Sequence, residues 1–131
     1  MISWNLIYLL SYKKKISSSS YLEGYEPELA NDEQVETWWA AQTGNAGEWL
    51  QIDLGKTMEV NAIQVNFADY NFNVHAPHDP VVYQYYIEGS TNGKDWTRLV
   101  DEEKNLQDAP HKLHTLNVPA KVQYLKICNT K

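Results

Sequence analysis

The sequence lacks the chemistry of several common protein classes. It has a single cysteine, Cys128, so no disulfide can form within the chain, and a lone cysteine does not indicate a redox compartment. Lysine and arginine together number 11 against 17 aspartates and glutamates, which gives a net charge of −6. Nucleic acids and anionic membranes are bound through clustered basic residues, so we expect neither as a partner.

The chain also lacks a long hydrophobic run. Its most apolar segment, 1–10, is shorter than the roughly 20 residues that span a bilayer. It does not resemble a signal peptide, because Lys13, Lys14 and Lys15 follow it and no small-residue cleavage site is present. We interpret residues 1–11 as a lead-in, either a first strand or the remnant of a linker, and residues 12–131 as one domain.

Aromatic residues with a polar tip are plentiful. Five tryptophans and nine tyrosines stand against two phenylalanines. Such rings suit half-buried strands and interfaces, where one end of the side chain is dry and the other is wet. They also stack on the apolar faces of sugars.

Short runs rich in β-branched and aromatic residues predict a fold built of strands. Turn residues separate them, notably Gly55-Lys56 and the hairpin signal Asn92-Gly93. No long segment has a helical period, so the pattern predicts an antiparallel sandwich or barrel with long irregular stretches at 17–48 and 69–80. Apolar residues on both faces of 60–67 predict a central strand. The predicted strands are 49–54, 60–67, 81–87, 96–100, 111–118 and 122–128.

The order of several motifs resembles the discoidin family, also called the coagulation factor 5/8 type C domain. The resemblance covers roughly residues 12–131 and rests on several motifs in register. They are Ala30-Asn31-Asp32, Thr37-Trp38-Trp39, the run from Glu48 to Gly55, the run from Tyr86 to Ser90, the run from Asn92 to Trp96 and the run from Val122 to Ile127.

The resemblance implies an all-β fold, the galactose-binding-like jelly roll, with the family's last strand missing from this chain. It also implies a non-catalytic module similar to family 32 carbohydrate-binding modules. Bacterial domains of this kind are appended to secreted glycosidases, and 48–69 looks most like modules on family 43 glycoside hydrolases. The expected location is therefore extracellular or periplasmic, and the expected partners are a polysaccharide and an adjacent glycosidase domain.

In the family, sugars bind at the loop end of the sandwich. Sugar recognition needs an aromatic platform together with planar polar groups for the hydroxyls. Trp39 and Trp49 stand at positions that the family uses for packing, whereas Trp38 is expected to point the opposite way. The candidate ligand-binding residues are Tyr25, Glu26, Trp38, Tyr70, Asn71, Phe72, Asn73, His75 and His78.

Family members often hold a calcium ion in the loop that Asp32 begins. Calcium takes six to eight oxygen ligands, and Asp32, Gln34 and Thr37 are the candidates here. Glu33 stands where the family usually has glycine, and the carboxylate from the family's last strand is missing. The alternative is an acidic loop that hydrogen-bonds itself.

No motif indicates an enzyme. The acidic residues fall in loops and turns without a recognisable pair, and the sequence has no nucleophile elbow, zinc-protease motif or phosphate-binding glycine loop. A zinc site built from His75, His78, His111 and His114 is disfavoured, since His111 and His114 would face opposite sides of a strand. Two hypotheses stay open: a carbohydrate-binding module, and a structural accessory domain without a ligand of its own.

Overall fold

Strands dominate the chain in the computed structural model, which describes residues 2–6, 12–32, 39–43, 45–67, 82–107 and 111–130. Within these ranges the one helical element is a short 3-10 turn, Pro27–Ala30. The prediction of an all-β fold is confirmed. The strands are β1 (Ile2–Leu6), β2 (Lys15–Ser18), β3 (Trp49–Phe67), β4 (Tyr85–Ser90), β5 (Thr97–Asp101) and β6 (His111–Asn129).

The strands pair antiparallel in one hydrogen-bonded sheet. Its order is β1-β3-β6-β4-β5, and β2 also pairs with β3. Ile52 of β3 lies between Ile16 of β2 and Leu125 of β6. Further along, Ile63 of β3 lies opposite Leu6 of β1. β3 is therefore a central strand, as predicted, and the apolar start contributes a first strand.

Two irregularities interrupt the pairing of β3 with β6. The first lies between Asp53 and Met58 of β3, and the second between Val60 and Ala62. Gly55, within the first, has a positive φ of 86°, which glycine adopts without the steric cost that a Cβ brings. The prediction that Gly55 ends the strand is wrong. β3 continues through the irregularity as one strand, and its pairing with β6 resumes at Met58.

Two other predicted strand boundaries also differ. The run 81–87 is a strand only from Tyr85, and β4 then continues to Ser90. Residues 111–118 and 122–128 form one strand, β6, instead of two. β6 pairs with β3 on both sides of the second irregularity, and this pairing keeps β6 continuous. The sequence pattern does not indicate which strands pair.

Burial along β3 changes phase just after the second irregularity, where the neighbours Ala62 and Ile63 are both buried. Leu50, Ile52 and Leu54 are buried at even positions, and Ile63 and Val65 are buried at odd positions. Side chains of a strand alternate between two faces, so two buried neighbours mark the point where the inward-facing set passes from even to odd numbers. The two-sided apolar pattern of 60–67 therefore arises partly from this change of phase.

The core gathers apolar side chains from β2 to β6 and from the segment that contains Trp39. Trp39 is buried, as expected, while Trp49 is only half-buried. Cys128 is buried too, and its burial raises the pKa of its thiol. The residues with an exposed fraction of 1% or less are Leu50, Ile52, Leu54, Val60, Ile63, Val65, Ile87, Leu125 and Ile127.

The turn between β4 and β5 is built by side chains. Ser90 Oγ accepts hydrogen bonds from the backbone N–H groups of Asn92, at 3.2 Å, and Gly93, at 2.8 Å. The side-chain oxygen of Asn92 accepts the N–H groups of Lys94 and Asp95. Gly93 has a φ of 76°, so the Asn-Gly pair marks a turn as predicted.

Candidate functional site

Two of the predicted ligand-binding residues, Tyr25 and Glu26, lie in the described part of the chain. Both are half-buried and stand just before the 3-10 turn. Tyr25 uses its backbone carbonyl to accept the N–H of Ala40, at 3.1 Å. The other predicted residues lie outside the described residues; they are Trp38, Tyr70, Asn71, Phe72, Asn73, His75 and His78.

Glu26 lines an open polar depression of about 590 Å³, which we call the serine cleft. It forms where the chain leaves β2 and runs toward the 3-10 turn, alongside the segment 39–43. Backbone hydrogen bonds join the two segments, including Leu22 N–H to the Ala40 carbonyl at 2.8 Å. The lining residues are Ser18, Ser19, Ser20, Tyr21, Glu23, Glu26 and Gln42.

The floor of the serine cleft is anchored to the core through Ser20. The indole N–H of buried Trp39 donates to the Ser20 carbonyl at 2.9 Å. The backbone N–H of Gln42 donates to Ser20 Oγ at 3.0 Å. A large buried ring thus fixes the position of a surface residue, and the two walls of the cleft hold each other in place.

Glu48 organises the hydroxyl groups behind the cleft. Its carboxylate accepts hydrogen bonds from Ser19, from Ser20 at 2.8 Å and from Thr43 at 2.9 Å. These bonds, that of Ser19 first, lower the pKa of Glu48 against the opposing effect of burial. The carboxylate therefore stays ionised, and the protons of these hydroxyls are already committed to it.

Other groups in the cleft are left for a ligand. Ser19 Oγ and Ser20 Oγ also accept backbone N–H groups, so both serines act as a rigid frame. Glu26 commits one carboxylate oxygen to the N–H of Gly24, at 3.1 Å. Hydrogen-bonding capacity remains on the side chains of Tyr21, Glu23, Glu26 and Gln42.

An exposed ring stands at the edge of the cleft. Tyr21 is 47% exposed and its neighbour Leu22 is 40% exposed. The following turn contains Gly24, whose φ of 87° favours glycine. The cleft thus combines an accessible aromatic face with carboxylate and amide groups.

The lining of the cleft is acidic. Glu23 and Glu26 contribute carboxylates, and no lysine or arginine is among the described residues that line it. Both carboxylates offer acceptors, and the Gln42 amide and Tyr21 hydroxyl add donors. This set can bind a molecule that presents several hydroxyl groups.

Most residues of the serine cleft were not predicted. The run Ser17 to Ser20 followed by Tyr21 was available as a signal, because hydroxyls beside a ring suit a polar ligand. The sequence pattern predicted 17–48 as one irregular stretch, in which Tyr25, Glu26 and Trp38 were candidates but the serines were not. The pairing of Leu22 with Ala40, which brings Gln42 to the cleft, has no sequence signature.

The predicted calcium residues are described only in part. Asp32 is half-buried just after the 3-10 turn, and Gln34 and Thr37 lie outside the described residues. Within the described ranges, no group of three or more histidine, cysteine, aspartate or glutamate side chains is placed to hold a metal ion. The calcium site stays a prediction.

His114 is buried in the sheet, whereas His75 and His78 lie outside the described residues. Its Nε2 is hydrogen-bonded to the Tyr85 hydroxyl at 2.7 Å, and its Nδ1 lies 3.9 Å from Glu102 Oε1. Burial lowers the pKa of His114.

No helix in the described part of the chain has the length and apolar character needed to cross a membrane.

Comparison with known proteins agrees with this architecture. The profile of the F5/8 type C domain matches residues 15–131, which is most of the chain. The chain belongs to the F5/8 type C, or discoidin, family, and the resemblance drawn from the motifs is confirmed.

Among its relatives is bovine (Bos taurus) lactadherin, 29% identical over 133 residues, which cover 87% of this chain and 30% of lactadherin. The chain therefore spans less than a third of the length of bovine lactadherin.

Solved structures that share the fold include two carbohydrate-binding modules. One is chitosan-binding module 2 from the chitosanase/glucanase of Paenibacillus sp. IK-5, in complex with chitotriose. It is 22% identical, covers 93% of this chain and 87% of its own, and has a TM-score of 0.76. The other is the family 32 carbohydrate-binding module of C. perfringens NanJ with galactose, 18% identical, covering 100% and 89%, with a TM-score of 0.72.

Proposed function

We propose that the domain is a non-catalytic carbohydrate-binding module and that the serine cleft binds its sugar. The observation that carries this proposal is the composition of the cleft. An exposed tyrosine ring, two carboxylates and an amide surround a depression of about 590 Å³, which is within the size range of small-molecule sites. The ring suits the apolar face of a sugar, and the polar groups suit its hydroxyls.

The rigidity of the cleft supports the proposal. Ser19 and Ser20 are held by Glu48 and by backbone N–H groups, and Ser20 is also held by Trp39. A site that is already ordered loses little conformational entropy when it binds. The groups that face a ligand therefore need little rearrangement.

The family relationships support the same class of function. Neighbours in fold space are carbohydrate-binding modules, among them one derived from a chitosanase/glucanase. We propose by the same analogy that this domain works outside the cytoplasm, appended to a glycoside hydrolase. A structural accessory domain is the alternative, but it would not require a rigid cleft with uncommitted polar groups.

Affinity electrophoresis in gels that contain xylan, arabinan or galactan tests the proposal. We expect at least one polysaccharide to slow the wild-type chain. Tyr21→Ala and Gln42→Ala should each weaken that interaction by about tenfold, or ~1.4 kcal/mol, without lowering the melting temperature. Tyr12→Ala removes an exposed tyrosine, 40% accessible, that does not line the cleft, and it serves as the matched control.

Two results would contradict the proposal. Unchanged mobility on every glycan would leave the accessory-domain hypothesis as the better account. Retardation that Tyr21→Ala and Tyr12→Ala reduce equally would place the sugar outside the serine cleft.

A further inference from the structure

A second groove lies on a face of the sheet and shares no lining residue with the serine cleft. It has a volume of about 370 Å³, and we call it the sheet-face groove. Three neighbouring strands contribute to it, namely β2, β3 and β6. Its lining residues are Lys15, Ser17, Gln51, Asp53 and Tyr124, none of which lines the serine cleft.

Strand register places these side chains in two rows. Lys15, Asp53 and Tyr124 are directly opposite one another across the three strands. Ser17 and Gln51 form the next row, two residues along the chain. Because residues i and i+2 share a face and neighbouring strands lie about 4.8 Å apart, the five side chains project from one surface.

The groove and the serine cleft use opposite sides of β2. Ser17 lines the groove and the next residue, Ser18, lines the cleft. Successive side chains of a strand point to opposite faces. A ligand in one depression therefore leaves the other accessible.

Asp53 is held in a fixed orientation. Its Oδ1 accepts the backbone N–H of Gly55 at 2.8 Å and the side-chain amide of Gln123 at 3.0 Å. Its Oδ2 makes no hydrogen bond with any described residue. The carboxylate thus presents one free acceptor from a rigid support.

Tyr124 is positioned in a similar way. Its hydroxyl oxygen accepts the Gln123 amide at 3.3 Å, which leaves the phenolic proton for another acceptor. Its ring packs beside Gly93, where an added Cβ would lie 3.6 Å from the ring. The half-buried ring is therefore braced by the β4–β5 turn.

The remaining polar groups of the groove are uncommitted. The side chains of Lys15, Ser17 and Gln51 make no hydrogen bond or ion pair with described residues. They supply an ammonium, a hydroxyl and an amide beside Asp53 and Tyr124. The charges of Lys15 and Asp53 cancel, so the groove is neutral where the serine cleft is acidic.

We propose that the sheet-face groove is a second saccharide-binding site, selective for neutral sugar units. Donors and acceptors line it together with one braced ring, the combination that recognises a hydroxyl-rich ligand. This goes beyond the function proposed for the serine cleft, since it gives the domain two sugar sites. Two sites on one module raise its avidity for a long polysaccharide without any new contact.

Nuclear magnetic resonance titration of the ¹⁵N-labelled full chain tests the two sites separately. The probes are galactose, xylotriose and chitotriose. The side-chain amide of Gln51 reports on the groove, and that of Gln42 reports on the cleft. We expect galactose or xylotriose to shift the Gln51 signals, and we expect these shifts to persist in Tyr21→Ala.

Variants then decide whether the shifts come from binding in the groove. Tyr124→Phe removes only the hydroxyl, and we expect it to weaken groove binding by about tenfold. Lys15→Ala removes the ammonium group on the β2 side of the groove and tests whether it contributes to sugar binding. Gln64→Ala is the matched control, because Gln64 is a half-buried glutamine of the same strand outside the groove.

Each outcome has one meaning. If Gln51 shifts saturably and Tyr124→Phe weakens this binding by about tenfold while Gln64→Ala does not, the second site is supported. If only Gln42 shifts, the inference is overturned and the serine cleft stands. If only Gln51 shifts, the groove stands and the cleft proposal fails, and if neither shifts with any probe, both are overturned.

Discussion

The hydroxyl oxygen of Tyr85 lies 2.7 Å from Nε2 of His114, and both side chains are buried. Their rings meet edge to face, with centroids 5.9 Å apart. Glu102 and Lys112, joined by an ion pair of 2.6 Å, complete the group. A histidine is therefore kept neutral inside the sheet, and its protonation is linked to folding.

We predict that His114 makes the domain less stable in mild acid. Burial lowers its pKa in the folded state below the ordinary value of 6.5, with Glu102 opposing and Lys112 assisting. The unfolded chain then binds more protons than the folded one, so the free energy of unfolding falls as the pH drops below about 6.5. Denaturant melts of wild type and His114→Gln between pH 7.5 and 5 measure the effect.

The variant should show a shallower decline than wild type over this range, because glutamine does not titrate. Glu102 and Lys112 remain in both proteins and act as internal controls. Parallel pH profiles for the two proteins would show that His114 does not contribute.

Gly89 is predicted to be intolerant of any side chain. A Cβ at this position would lie 2.6 Å from Val122 Cγ1 and 3.0 Å from Leu99 Cδ1. Val122 is β-branched and buried, so it has little freedom to move aside. We expect Gly89→Ala to lower the free energy of unfolding by about 1–3 kcal/mol.

The double variant Gly89→Ala, Val122→Ala tests the cause. Removing the clashing methyl should make the double variant more stable than the sum of the single effects predicts. Simple additivity would assign the destabilisation to the backbone of β4 instead.

Leu50 is predicted to be a major contributor to stability. It is fully buried on β3, opposite Ile127 of β6. We expect Leu50→Ala to cost about 2–5 kcal/mol, since the lost burial adds to the cost of a cavity. Leu106→Ala is the control, because this leucine is 84% exposed, and its effect should stay within about 0.5 kcal/mol. Equal losses would place Leu50 outside the cooperative core.

Calcium binding at Asp32 stays a prediction from the family resemblance. A cation that binds the folded chain at a hundred times its dissociation constant stabilises it by about 2.7 kcal/mol. We expect calcium to raise the melting temperature of the wild type and to have little effect on Asp32→Asn. Glu59→Gln, which changes an exposed carboxylate on β3, is the control. Identical melting temperatures in calcium and in a chelator would refute the site.

The sequence predicted the strands well where alternation and turn residues agree. The hairpin at Asn92-Gly93 is an example, because a local pattern of hydrogen bonds defines it. Gly55 was misjudged, since a positive φ can end a strand or be absorbed into it. Only the pairing of β3 with β6 decides between these outcomes, and that pairing is not local.

The candidate site was less accessible to prediction. Glu26 was among the predicted ligand-binding residues and lines the cleft, but its contact with a ligand stays a prediction. Gln42 was missed, because a backbone bond between Leu22 and Ala40 brings it to the cleft from a segment with no periodic pattern. Asp53 was predicted only as part of the strand 49–54, although its register with Lys15 and Tyr124 places it in a groove.

The burial of Cys128 has a practical consequence for measuring these interactions. The chain has no other cysteine, and the raised pKa of this thiol leaves little of the reactive thiolate near neutral pH. A new cysteine at exposed Thr91 would therefore react with a maleimide dye while the native thiol stays unmodified. Fluorescently tagged protein can thus be prepared without first replacing a residue of the core.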